Sequence, residues 1–117
     1  MNAKQSIYEK FLDGTLAKKN INEICKLLSI PYREKKRLTD LLDELLKEGK
    51  LFLNDGGRYG TIEQLNLIKG ILSGHERGFA FLIPENKELY EKDFFIPHRN
   101  LSGALHGDEV LIERVFG

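Results

Sequence analysis

Tryptophan is absent from this 117-residue chain, cysteine and methionine occur once each, and proline occurs three times. A lone cysteine, Cys25, rules out an internal disulfide and fits a reducing compartment. Net charge is missing as well, since 18 basic side chains are matched by 18 acidic ones. No global field therefore commits the chain to nucleic acid or membrane. The halves barely differ: residues 1–63 carry 12 basic and 10 acidic side chains, and residues 64–117 carry 6 and 8. Any nucleic-acid surface must be a local patch. No apolar run approaches the ~20 residues of a membrane span, and the opening MNAKQSIYEKF lacks the apolar core of a secretory signal. These absences point to a cytoplasmic chain of one ordinary domain or two small ones.

What is present divides into two patterns. The first is helical. In SIYEKFLDG, the residues Ile7, Tyr8, Phe11 and Leu12 fall on one face, and Asp13-Gly14 supplies a stop. In NINEICKLLS, Asn20 and Glu23 have capping-box spacing ahead of Ile21, Ile24, Cys25, Leu27 and Leu28. REKKRLTDLLDELLKEG sets Leu38, Leu41, Leu42, Leu45 and Leu46 at helical spacing, with Pro31 before it and Gly49 at its end. The period then changes, and KLFLNDGGRYGTI reads as two short strands around the turn Asp55-Gly56-Gly57. Three helices followed by a hairpin describe a winged helix-turn-helix over residues 1–63. The third helix would be its recognition helix, and residues 51–61 its wing.

The second pattern, residues 64–117, is β. LIKGILSG, RGFAFLIP, KDFFIP and GDEVLIERV read as strands, with a charged loop ENKELYEK and a longer connection HRNLSGALHG between them. Such a set suggests a small OB-type barrel with four of its five strands, lacking the last. The expected fold class is α+β. Unpaired edges in an open barrel invite dimerisation or strand exchange.

Alternation along a strand places Gly78, Ala80 and Leu82 on one face, and Phe79, Phe81 and Ile83 on the other. In DFFIPH, Phe94 and Ile96 oppose Phe95 and Pro97. Small barrels favour small interior residues, so the glycine-alanine-leucine set is expected inside. Phe79, Phe81 and Phe95 are then expected outside, with Arg77, His98 and Arg99 beside them. Exposed rings with basic neighbours form a platform for unpaired bases.

RGFAFLI resembles the first ribonucleoprotein motif of cold-shock domains, whose usual form is lysine-glycine-aromatic-glycine-aromatic. DFFIPHRNLSGALHGDEVLIE, with its Asp-x-Phe-Ile-Pro strand and later Gly-Asp-x-Val, is similar to the first cold-shock domain of the ribonuclease R branch of the ribonuclease II exoribonucleases. A winged helix ahead of that domain fits the same branch, so the resemblance covers essentially all 117 residues. It puts Phe79, Phe81 and Phe95 at stacking positions and Arg77 at the basic position ahead of the motif. Ala80 replaces the usual glycine. Leu72 stands where many cold-shock domains carry an exposed tryptophan, and Pro97-His98 replaces a histidine-aromatic pair. A weaker platform than that of a dedicated cold-shock protein is expected.

The resemblance further implies metal-dependent 3′-to-5′ hydrolysis of RNA, with magnesium as the metal. Its clustered aspartates would belong to a catalytic domain outside these residues. Nothing in the sequence supplies chemistry of its own. Pairs such as Asp43/Lys47 have the spacing of solvated helical ion pairs. His75, His98 and His106 with Cys25 lack metal-site spacing, and no glycine-rich loop with a lysine marks a nucleotide site. Neither catalytic, cofactor nor metal residues are expected here.

Arg33, Lys35, Lys36 and Arg37 crowd the start of the third helix, where positive charge opposes the helix dipole. A polyanion would relieve that opposition, although Glu34 and Asp40 can also neutralise the cluster. Arg58 beside the hairpin turn could reach a groove from the wing. The expected partners are single-stranded and structured RNA. A DNA-binding regulator and a protein-docking module remain as alternative readings of the helical half.

Overall fold

Asn2 opens the first helix by accepting the Gln5 N–H on its side chain at 2.8 Å. The computed structural model describes residues 2–114. α1 (Ala3–Leu12) buries Ile7 and Phe11. Leu12, expected on the same face, is instead 55% exposed, because adjacent helical residues diverge by about 100° and only one of the pair can point inward. Asn20 caps α2 (Ile21–Leu27) with the full reciprocal box: the Glu23 N–H donates to the Asn20 side chain at 2.8 Å, and the Asn20 N–H donates to the Glu23 carboxylate at 3.0 Å. A 3-10 turn at Tyr32–Glu34 leads into α3 (Lys35–Lys47), which buries Leu38, Leu42 and Leu45. Gly49 follows α3 at φ +74, a left-handed position suited to a residue without Cβ.

Three short strands complete this unit: β1 (Lys19–Asn20), β2 (Phe52–Leu53) and β3 (Arg58–Gly60). They form an antiparallel sheet in the order β1-β3-β2. β2 and β3 are the expected hairpin. β1 was not expected: its two residues pair with Tyr59 and Arg58 and carry no alternation of their own. Phe11, Leu16, Ile24, Leu42, Leu45 and Leu51 are fully enclosed at the centre, with Cys25 packed partly buried against them. Leu27 was expected on the apolar face of α2 but is exposed. TIEQLN, residues 61–66, is part of this unit. Gln64 and Thr61 exchange side chain–backbone bonds of 3.0 and 3.2 Å, and the Gln64 amide donates to the Phe11 carbonyl at 2.7 Å.

The first compact unit runs through Asn66, and the second begins at Leu67. The second holds β4 (Leu67–Gly74), β5 (Ala80–Pro84), β6 (Phe94–Ile96) and β7 (Glu109–Glu113). All are antiparallel, in the order β6-β5-β4-β7. Ile68, Leu72, Ala80, Leu82 and Ile96 form its core, with Phe94, Val110 and Ile112 packed around them. Gly70 is required where β4 passes β5, since a Cβ there would lie 2.3 Å from the Ile83 carbonyl oxygen. The architecture is thus α+β, with three helices and two antiparallel sheets among the described residues. No helix among them is long and apolar enough to cross a membrane.

Candidate nucleic-acid interface

Alternation in β5 turns Ala80 and Leu82 into the core and leaves Phe81 on the other face, 38% exposed. β6 does the same with Ile96 inside and Phe95 outside, 59% exposed. Phe81 pairs directly across the ladder with Phe95, so the two rings share the outer face. Phe79 joins them from just ahead of β5, not from within it. Gly78, at φ +96, turns the chain there, and the Phe79 carbonyl accepts the His75 N–H at 2.8 Å. Ring centroids lie 5.8 Å apart for Phe79–Phe81, 5.4 Å for Phe79–Phe95 and 5.8 Å for Phe81–Phe95. These separations fall in the range of favourable aromatic pairs. The structure therefore brings the three rings together; Phe81 and Phe95 lie outside as alternation indicates, whereas Phe79 sits half-buried beside them, ahead of the strand.

One member of the cluster was missed. His75 stacks on Phe79 at 4.3 Å and 11°, and its Nδ1 accepts the Arg77 N–H at 3.1 Å. The separation of four residues across a glycine turn was the available signal, but strand periodicity does not register it. Arg77 and Arg99 are exposed. His98 is exposed as well and turns back onto the sheet, its Nδ1 3.0 Å from the Gly78 carbonyl oxygen and so acting as donor. The His106 Nδ1 accepts the Gly74 N–H at 3.0 Å. All three histidines line an open hollow of about 410 Å³ floored by Leu72, Ala80, Leu101 and Ala104. No group of three or more His, Cys, Asp or Glu among the described residues is arranged to hold a metal.

Leu72 does not occupy an exposed position. It is buried in the core, because β4 alternates Ile68, Gly70 and Leu72 inward. Ser73, opposite Phe81, and Ile71, opposite Ile83, carry the outer face instead. Further along that face Lys69 lies 3.1 Å from Glu109 and 4.0 Å from Glu85. Its hydrogen bond to Glu109, and the charges of both glutamates, raise its pKa above the usual lysine value.

The basic residues of the first unit are less uniform than their spacing suggests. Arg33 lies in the 3-10 turn, and Lys35, Lys36 and Arg37 begin α3. Lys35 donates to the Asn22 side chain at 3.0 Å, and Lys36 pairs with Asp40 at 3.0 Å. Arg33 and Arg37 are exposed. Arg58 is turned inward from the hairpin: its Nη1 donates to the Lys18 carbonyl at 2.8 Å and to Glu23 at 3.1 Å. It braces β3 against the start of α2 and does not extend from the turn towards a groove. Glu23 is held below the usual carboxylate range, first by the Asn20 N–H and further by Arg58.

Residues 70–115 match the model of the Ribonuclease B OB domain. A protein named ribonuclease R from Acidithiobacillus ferrooxidans is 32% identical over 101 residues, covering 86% of this chain and 22% of the relative. One from Vibrio parahaemolyticus is 27% identical over 105 residues, 89% of this chain and 13% of its own length. One from Chlamydia pneumoniae is 50% identical over 46 residues, 38% of this chain and 7% of the relative. The chain thus spans less than a quarter of the first two relatives. The chain is similar to ribonuclease R proteins over most of its length, and its second unit matches a Ribonuclease B OB domain.

Proposed function

We propose that these residues form an RNA-engaging region of a ribonuclease R-like 3′-to-5′ exoribonuclease. Hydrolysis would reside in a catalytic domain outside them, with divalent metal, magnesium by resemblance. The second unit, from Leu67, acts as a cold-shock-type OB module whose sheet lacks a closing strand among the described residues. The outer rings Phe79, Phe81 and Phe95 receive the bases of a single strand, and Arg77 and Arg99 meet its phosphates. The first unit, through Asn66, acts as a winged helix that contacts structured RNA through Arg33 and Arg37, with Lys35 and Lys36 released from their local partners when phosphate competes. The 117 residues themselves are not catalytic, the setting is cytoplasmic, and the outer strands β6 and β7 are the edges through which copies would associate.

The observation that carries this reading is the mutual contact of three phenylalanines on the outer face of a sheet whose core is small and aliphatic. Their exposure costs hydrophobic stabilisation that a flat ligand restores. The test is a fluorescence-anisotropy titration of labelled single-stranded RNA, with duplex RNA and duplex DNA as competitors. Phe81→Ala and Phe95→Ala are expected to weaken single-strand binding at least fivefold, in line with roughly 1–3 kcal/mol per stacked base. Tight duplex-DNA binding, unchanged in both variants, would reject the reading in favour of a DNA-binding regulator.

A further inference from the structure

We propose that His75 is a further single-strand contact, its imidazole forming the outermost stacking surface of the aromatic cluster. The inference rests on the single-strand reading of this face. His75 lies almost parallel on Phe79, 4.3 Å away and tilted by 11°, so one face of the phenylalanine is already covered. His75 is exposed while Phe79 is only half-exposed. A base arriving at this end of the cluster meets the imidazole before it meets Phe79. Phe81 and Phe95 stand at 87° and 51° to Phe79 and are not part of this parallel stack.

The imidazole is also held ready. Its Nδ1 accepts the Arg77 N–H, and its own backbone N–H donates to the Phe79 carbonyl. A ring fixed in this way loses little rotamer freedom on binding. Because Nδ1 is the acceptor, the neutral ring carries its proton on Nε2. That edge is a donor for a base carbonyl or a phosphate oxygen. At this end of the cluster the imidazole, backed by Phe79, extends the stacking surface that sequence periodicity assigns to Phe79 alone.

Two substitutions separate the ring from the turn. His75→Asn retains an acceptor for the N–H two residues on, as asparagine does in its local turns, but removes the ring. His75→Phe retains a ring and removes the acceptor. Binding to the 117-residue chain is read by anisotropy of a fluorescein-labelled single-stranded RNA of roughly eight nucleotides. His75→Asn is expected to weaken binding about fivefold to tenfold, and His75→Phe to stay within about twofold. Equal losses in the two variants would place the effect in the turn and overturn the proposal. Full affinity in His75→Asn alongside a loss in Phe95→Ala would overturn the His75 contact and leave the platform standing. Full affinity in both would overturn the platform and the His75 contact together.

Discussion

In the first unit Phe11 is wholly enclosed, packed among Leu16, Ile24, Leu42 and Leu45. In the second unit Phe95 is 59% exposed and Phe81 38%, while the core is built from aliphatic residues and Ala80. The same side chain is treated in opposite ways within one short chain. The difference lies in what shares its element. α1 has only two inward positions of any size, and a phenylalanine fills one of them. β5 offers two faces, and Ala80 and Leu82 occupy the core side, so Phe81 takes the other. Hydrophobicity alone therefore does not assign a phenylalanine to a core; the partner face does.

The comparison can be broken most severely at Phe11. Phe11→Ala should destabilise the first unit by about 3–5 kcal/mol, whereas Phe95→Ala should cost the second only about 1 kcal/mol, the scale of a cross-strand aromatic pair. Residue-resolved amide exchange against denaturant measures both, and a large loss in Phe95→Ala would show that the ring supports the fold. Next in size is Gly70→Ala. The added Cβ would meet the Ile83 carbonyl at 2.3 Å, and the backbone shift needed to relieve it should cost on the order of 3 kcal/mol. Exchange should accelerate in β4 and β5 while the helices of the first unit keep their protection. Uniform acceleration in both units would deny that the cores are independent.

The smallest effect is a pH dependence. The folded-state pKa of Glu23 is depressed, chiefly by the Asn20 N–H. Its contribution is therefore fully present above the ordinary glutamate value of about 4.3, and is lost as pH falls through the lower folded value. Glu48, depressed by its hydrogen bond from Lys4, acts in the same direction. Thermal unfolding followed by circular dichroism should show the helical signal losing stability on acidification, and Glu23→Gln should flatten part of that slope. An unchanged slope would mean that Glu23 gains nothing from its cap when folded.

Much of this was legible from residue order. The Asn20–Glu23 box, the leucine spacing of α3 and the outward rings of β5 and β6 all follow from local periods that burial respects. The misses share a cause. β1 exists only because Tyr59 and Arg58 lie beside it, and no local pattern records a partner 40 residues away. Leu72 was assigned through a resemblance, while its actual facing follows from the alternation with Ile68 and Gly70. The sequence neighbours of Arg58 leave it available; its acceptors, Lys18 and Glu23, come from another part of the chain. His75 reaches Phe79 through a turn that has no period at all.

Lys69 gives the outer sheet a direction. Lying between Glu85 and Glu109, it is neutralised from both flanks, and Glu113 continues the acidic margin along β7. A polyanion that settles on the rings at the β5–β6 side finds no welcome across the sheet towards β7. On the proposed reading, its path would be a lane along one margin, with the acidic side as the kerb that keeps it there.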